Sequence, residues 1–184
     1  MIDFDYWKRG YQHLWGPSGD RETDVAKLVL RLTGIEAVKS GFGTGSTEFI
    51  PGQAEKHGYE KGEADLRVIG TNIKLEVTGP LTAAVGPTKP LWVRPDKIAN
   101  ARKHLQERDT WVVHCLERSQ MIRVIRLDKT FFGFYDSGKY QTVYPRIRGK
   151  IETMVEIPYD DPVVKPFSAL IKTIKNAKKK IQKE

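Results

Sequence analysis

A chain of 184 residues, 39% hydrophobic and 29% charged, has the length and apolar content of one domain with a substantial core. No apolar run is long enough for a membrane-spanning helix, and the opening residues, which include Asp3, Asp5, Lys8 and Arg9, do not read as a secretory leader. The net charge of +8 is unevenly placed: seven lysines and one glutamate from Lys165 onward carry +6 of it, which points to an anionic partner without separating nucleic acid, a membrane surface and a solvated helix.

Residues 4 to 15 place Phe4, Trp7, Tyr11 and Leu14 at helical spacing with Lys8, Arg9 and His13 between them. Such aromatics either pack on a core or stack on bases beside phosphate-binding Lys8 and Arg9. After the breaker Gly16-Pro17-Ser18-Gly19, a second helix is expected from about Asp20 to Leu32, with Val25, Leu28, Val29 and Leu32 inward and Gly34 past its end. Glu22 falls on that same stripe, where an acid is a helix-dipole charge, a paired group or a metal ligand. Ile35 to Lys39 reads as a strand. Residues 40 to 62, rich in glycine and polar groups, read as a loop lining a groove; the run from Gly41 to Thr47 meets neither the Walker nor the dinucleotide spacing, and His57 reads as a surface histidine.

Residues 62 to 78 predict two strands joined at Gly70-Thr71-Asn72. Ile73, Leu75 and Val77 alternate with Lys74, Glu76 and Thr78, and Leu66 and Val68 alternate with Asp65 and Arg67. Asp65 then shares a face with Glu76. Two carboxylates side by side repel unless a cation lies between them, and a divalent metal is one such cation. The plainer alternative is a half-exposed hairpin whose acids are neutralised across the strands by Arg67 and Lys74.

A Pro- and Gly-punctuated connection, 79 to 90, leads to a helix from Pro95 to about Arg108, with Ile98, Ala101 and Leu105 inward and Lys97, Arg102, Lys103 and Arg108 making its outside basic. Strands follow at 111–116 and 121–127. The first holds the single Cys115, which excludes an internal disulfide and fits a reducing, cytoplasmic setting. Phe131 to Tyr135 reads as core edge or a turn, and 144–150 as a basic extended arm carrying Arg146 and Arg148. Ser168 to Ile181 reads as a last helix with Lys172, Lys175 and Lys179 off its apolar side, either docked with a solvated basic face or binding phosphate. The order of elements predicts an α/β sandwich around a mixed sheet.

A helix with Glu22, a strand, a loop, Asp65, then Glu76-x-Thr78, a helix and a strand together resemble the PD-(D/E)xK nuclease superfamily over residues 18 to 127. That is the restriction-endonuclease-like fold, a mixed central sheet flanked by helices, shared with archaeal Holliday-junction resolvases. The resemblance implies a metal-dependent deoxyribonuclease, with Asp65, Glu76 and Glu22 holding Mg²⁺ or Mn²⁺. It implies DNA as partner, with RNA the second possibility, and no membrane. A homodimer is compatible with it, since two sites cut both strands. Where the family carries lysine this chain has Thr78, a hydroxyl without charge. Three outcomes are open: Lys74 or Lys97 supplies the charge, metal and water act alone, or the site binds without cutting. The basic residues that would hold nucleic acid are Lys8, Arg9, Arg102, Arg146, Arg148, Lys172, Lys175 and Lys179. Outside catalysis stand a nucleic-acid-binding protein on the same fold and an assembly protein that uses the aromatic N-terminus and the last helix as a subunit interface.

Overall fold

Helices flank both faces of a six-stranded mixed sheet in the computed structural model, which describes residues 21–42, 54–80, 85–116, 119–147 and 150–181. The expected N-terminal helix with Lys8 and Arg9, residues 43–53 of the Gly-rich loop, Arg148 and the side chain of Lys179 lie outside the described residues.

The first described helix, α1 (Arg21–Thr33), forms as its periodicity predicts. Val25, Leu28 and Val29 are buried, and Glu22 and Asp24 suit the positive end of the helix dipole. Gly34, at φ +68, ends it by donating its N–H to the Leu30 carbonyl at 2.8 Å. Strands β1 (Ala37–Lys39), β2 (Leu66–Val68) and β3 (Ile73–Thr78) run antiparallel in sequence. The chain then passes through β4 (Leu91–Val93) and α2 (Pro95–Lys103) before β5 (Asp109–Leu116) pairs in parallel with β3. This crossover is the one a parallel pair requires. Strand β6 (Met121–Arg126) pairs antiparallel with β5, and β11 (Val164–Pro166) closes the far edge, giving the order β1-β2-β3-β5-β6-β11.

Both faces of this sheet are buried. On one, Ile73, Leu75, Val77, Trp111 and Val113 pack against α1 and the last helix, α4 (Phe167–Ile181). On the other, Val112 and Ile125 pack with Ile98 and Ala101 of α2, with Phe131 and Phe132 of α3 (Lys129–Asp136), and with a small sheet. That sheet has the order β4-β10-β7, from β7 (Gln141–Val143) and β10 (Met154–Ile157). Strands β8 (Arg146–Ile147) and β9 (Lys150–Ile151) pair as a separate ribbon, so the predicted extended arm around Arg146 is a hairpin. Fully buried Leu75, Val112 and Ile125 each contribute on the order of 1.5–3 kcal/mol of transfer free energy.

Two expectations are corrected. Residues 131–135 belong to a helix, because Asp128 caps it by accepting from Thr130 N at 3.0 Å and Phe131 N at 3.1 Å. The helix expected to reach Arg108 stops at Lys103 and continues as turns.

Candidate active site

The hairpin of β2 and β3 turns through residues 69–72. Gly70 takes φ +68, and the Thr71 hydroxyl donates to Val68 O at 3.0 Å while accepting from Ile73 N at 3.1 Å. The pairs Leu66↔Leu75 and Arg67↔Lys74 set the register, which continued by one residue brings Asp65 opposite Glu76. Asp65 Oδ2 accepts from Val77 N at 2.8 Å, which locks its carboxylate onto the start of the hairpin. From the first turn of α2, Lys97 reaches down to both acids. Its Nζ lies 2.6 Å from Glu76 Oε2 and 3.7 Å from Asp65 Oδ1, and it donates to Glu63 O at 2.7 Å. The strand periodicity, the hairpin register and Pro95 at the helix start therefore act together to place one cation over two carboxylates.

Glu76 is buried, 8% exposed, and its carboxyl is pushed up to about 8. Burial acts first and the Asp65 charge second; Lys97 pulls the other way without overcoming them. Burial alone would lower the Lys97 ammonium, but Glu76 and Asp65 outweigh it and hold it above its ordinary value. The buried Glu76 Oε2 is met by the Lys97 ammonium at 2.6 Å as an ion pair, without a further hydrogen-bond donor among the described residues. Two facing carboxylates, one with a buried oxygen met by that ammonium, form a donor set of hard oxygens. That suits Mg²⁺ or Mn²⁺, since Mg²⁺ sites often use only one or two carboxylates and fill the rest with water and phosphate.

The segment before Asp65 is fastened to α2. Asn100 Nδ2 donates to Lys61 O at 3.1 Å, and Glu60 gathers Lys103, His104 at 2.7 Å and Arg108 at 3.5 Å. The Lys103 contact is the main reason the Glu60 carboxyl falls to about 2. Gly62, at φ +75, passes so close to the helix that a Cβ there would sit 2.2 Å from the Asp96 carbonyl oxygen. Both the left-handed backbone and the contact with backbone atoms exclude a side chain. Gly62→Ala is expected to destabilise the fold by about 2–4 kcal/mol, measured by chemical denaturation. An unchanged midpoint would show that this close approach is not needed.

The structure brings Asp65, Glu76 and Lys97 together but not the other residues expected there. Arg67 and Lys74 pair with one another across the strands, so the expected cross-strand neutralisation does not occur; Lys97 of the helix neutralises the acids instead. The Lys74 ammonium is lowered, first by burial and then by Arg108. Thr78 shares the face of Glu76, half-buried at the end of β3. Glu22 lies in the first turn of α1, whose start is tied to that strand end by Arg21, which donates to Gly79 O at 3.2 Å and Pro80 O at 2.6 Å. Yet among the described residues no group of three His, Cys, Asp or Glu is arranged around a metal-sized space, so Glu22 does not join Asp65 and Glu76.

The basic residues scatter. Arg102 is occupied by Asp136 at 2.5 Å and lies over the Phe132 ring at 4.6 Å, a tie between α2 and α3. Lys172 and Lys175 are exposed on α4, which covers the opposite face of the sheet from Glu76. Arg146 is exposed on the β8–β9 ribbon.

Sequence reading passed over two buried neighbours of Thr78, namely His114 beside it on β5 and Arg123 beside His114 on β6. Arg123 Nη1 donates to Pro87 O at 2.9 Å and Lys89 O at 2.8 Å, and Nη2 lies 3.3 Å from His114 Nδ1. Burial first, then Arg123 and Arg21, push His114 down to about 3, so it is a neutral ring. These residues hold the loop that precedes β4 against the sheet.

No family model matches the chain, and no curated protein matches its sequence. A solved structure of D212, a nuclease from a fusselovirus, aligns over 89% of this chain and 94% of its own, with TM-score 0.48 and 11% identity. At that level of likeness no residue's role passes from one protein to the other. No described helix is long and apolar enough to cross a membrane.

Proposed function

We propose that the protein is a divalent-metal-dependent endonuclease that hydrolyses phosphodiester bonds in DNA. The convergence of Asp65, Glu76 and Lys97 carries this reading, since a cation reaching one buried and one half-buried carboxylate is costly to assemble. The PD-(D/E)xK pattern of the sequence points the same way. Asp65 and Glu76 would hold Mg²⁺ or Mn²⁺. When bound, such an ion polarises the phosphoryl oxygen, lowers the pKa of an attacking water and offsets the developing charge. Lys97 moves from neutralising Glu76 to offering its ammonium to the phosphate or to the attacking water, the task Thr78 cannot perform without a charge. The hydrogen bond from Val77 N keeps the Asp65 carboxylate aimed during this exchange.

The test is nicking of plasmid and cleavage of oligonucleotides with Mg²⁺ or Mn²⁺. Asp65→Asn is expected to lower the rate about 10³-fold, the loss of several kcal/mol of transition-state stabilisation. If that variant cuts as the wild type does, the assignment is wrong. Strongly salt-dependent binding without cleavage under any metal would establish a non-catalytic nucleic-acid-binding protein instead.

A further inference from the structure

Beside the paired carboxylates opens a cleft of about 420 Å³ that the proposed chemistry leaves unused. Its volume falls in the range of sites that take a small heterocycle, about 300–1,000 Å³. Lys97 and Glu63 line it, so it adjoins the site at the residue whose ammonium reaches Glu76. Phe42 lines it as well. Its ring is stacked on His57 at 5.0 Å and 27° and tilted against Tyr59 at 5.6 Å. None of these three rings belongs to either hydrophobic core, and Tyr59 is 41% exposed. Phe42, outside the core and braced by His57 and Tyr59, gives the cleft one aromatic wall.

The charge of the lining decides what can enter. Four carboxylates, Glu55, Glu60, Glu63 and Asp96, outnumber the three cations Lys61, Arg94 and Lys97. Arg94 is committed to Asp96 through two hydrogen bonds, at 3.1 and 2.7 Å, and Lys97 to Glu76. With Glu60 held by Lys103 and Arg108, Glu55 and Glu63 remain against Lys61, so a phosphate finds no surplus of cations there. A neutral ring bearing amino and imino donors would find acceptors, as carboxylates accept from the exocyclic amine of cytosine.

We infer that this cleft receives one unstacked base of the substrate strand, so that the preferred substrate carries an unpaired or extruded nucleotide beside the scissile phosphate. The inference rests on the nuclease reading for the identity of the substrate. Stacked duplex offers no base to such a cleft unless one is flipped out, and an already unpaired nucleotide avoids most of that cost.

The test uses two labelled DNA duplexes, identical except for one unpaired nucleotide, titrated with the full chain in EDTA and then digested with Mg²⁺. Binding to the bulged duplex is expected to be at least about 10-fold tighter, with cuts beside the unpaired nucleotide. Removing the lining ring in Phe42→Ala should shrink the bulged-to-paired affinity ratio by about 5- to 100-fold, or to one where the preference is smaller than that. Phe42→Leu, which keeps apolar volume but removes the ring, should shrink it likewise, and so separates stacking from a loss of fold. A wild-type ratio near one, or a ratio unmoved by these variants, overturns the inference. Cleavage with no preference leaves the nuclease reading standing and removes the base cleft; preference with no cleavage does the reverse.

Discussion

Glu76→Gln is expected to abolish cleavage and at the same time to make the metal-free protein more stable above neutral pH. Losing the carboxylate should cost about 10³-fold in rate, because the hard-oxygen donor opposite Asp65 is gone. The stability effect follows from linkage. The folded state holds the Glu76 carboxyl up, to about 8, above its unfolded value of 4.5. Folded protein therefore binds more protons than unfolded between those values, and the contribution present at low pH is lost as pH rises through about 8. His114 acts in the opposite direction. Its folded value, about 3, lies below the ordinary 6.5, so its contribution is present above 6.5 and is lost as pH falls toward 3. The two slopes oppose each other between 4.5 and 6.5, and only Glu76 is left from 6.5 to 8. Wild-type protein in EDTA should lose at most roughly 2 kcal/mol across that upper window, at about 1.4 kcal/mol per pH unit per proton. Glu76→Gln should be flat there. The same variant should lose the rise in melting temperature expected of the wild type in Mg²⁺, a stabilisation of about 2.7 kcal/mol at a hundredfold excess over Kd. A falling wild-type curve that Glu76→Gln does not flatten would remove Glu76 as its source. Equal Mg²⁺ stabilisation of both proteins would remove it as a ligand.

How much of this site the sequence revealed depends on the range of the interactions. Alternation in 73–78 and the turn at Gly70 are local, and they suffice to place Asp65 opposite Glu76. Pro95 fixed where α2 starts and so made Lys97 a visible candidate. Neutralisation by Arg67 and Lys74, the plainer alternative, does not occur. The register pairs these two cations with each other, and the neutralising charge comes from a helix more than twenty residues away in the chain.

The aromatic run at Phe131 misled for another reason. Gly133 and the density of large rings disguise a short helix whose strongest signal is the cap at Asp128. Strands β4 and β10 were illegible because each is short and their pairing, Leu91 with Ile157, joins segments distant in the chain. The role of Glu60 was illegible on the same grounds. A lone acid in a polar loop carries no mark of Lys103, His104 and Arg108, which gather around it. Glu22, by contrast, had a clear pattern and no convergence. A stripe fixes which face of a helix turns inward, not how far along the sheet its end reaches.

Lys97→Ala is expected to lower cleavage by about 10²- to 10³-fold while leaving the metal-dependent rise in melting temperature in place. Removing an ammonium aimed at developing charge costs about 2.7–4 kcal/mol where it acts on the transition state. The carboxylates that would hold the ion are untouched. The variant also leaves Glu76 buried beside Asp65 without its cation, so its carboxyl should rise further and the metal-free protein should weaken at alkaline pH. The decisive step is to restore the charge from a different position. Thr78 lies two residues beyond Glu76, on the same face of β3 and half-buried, with a neutral His114 rather than a cation beside it. A lysine introduced there, as Thr78→Lys in the Lys97→Ala background, places an ammonium on the face of the two acids from the strand instead of the helix. If charge at the site is what Lys97 supplies, this double variant should recover at least about 10-fold of the lost rate, with its pH profile following the new ammonium. No recovery in a folded, metal-stabilised double variant would mean that Lys97 serves mainly to hold Glu63 and the turn before Asp65 against α2, which is a positioning role.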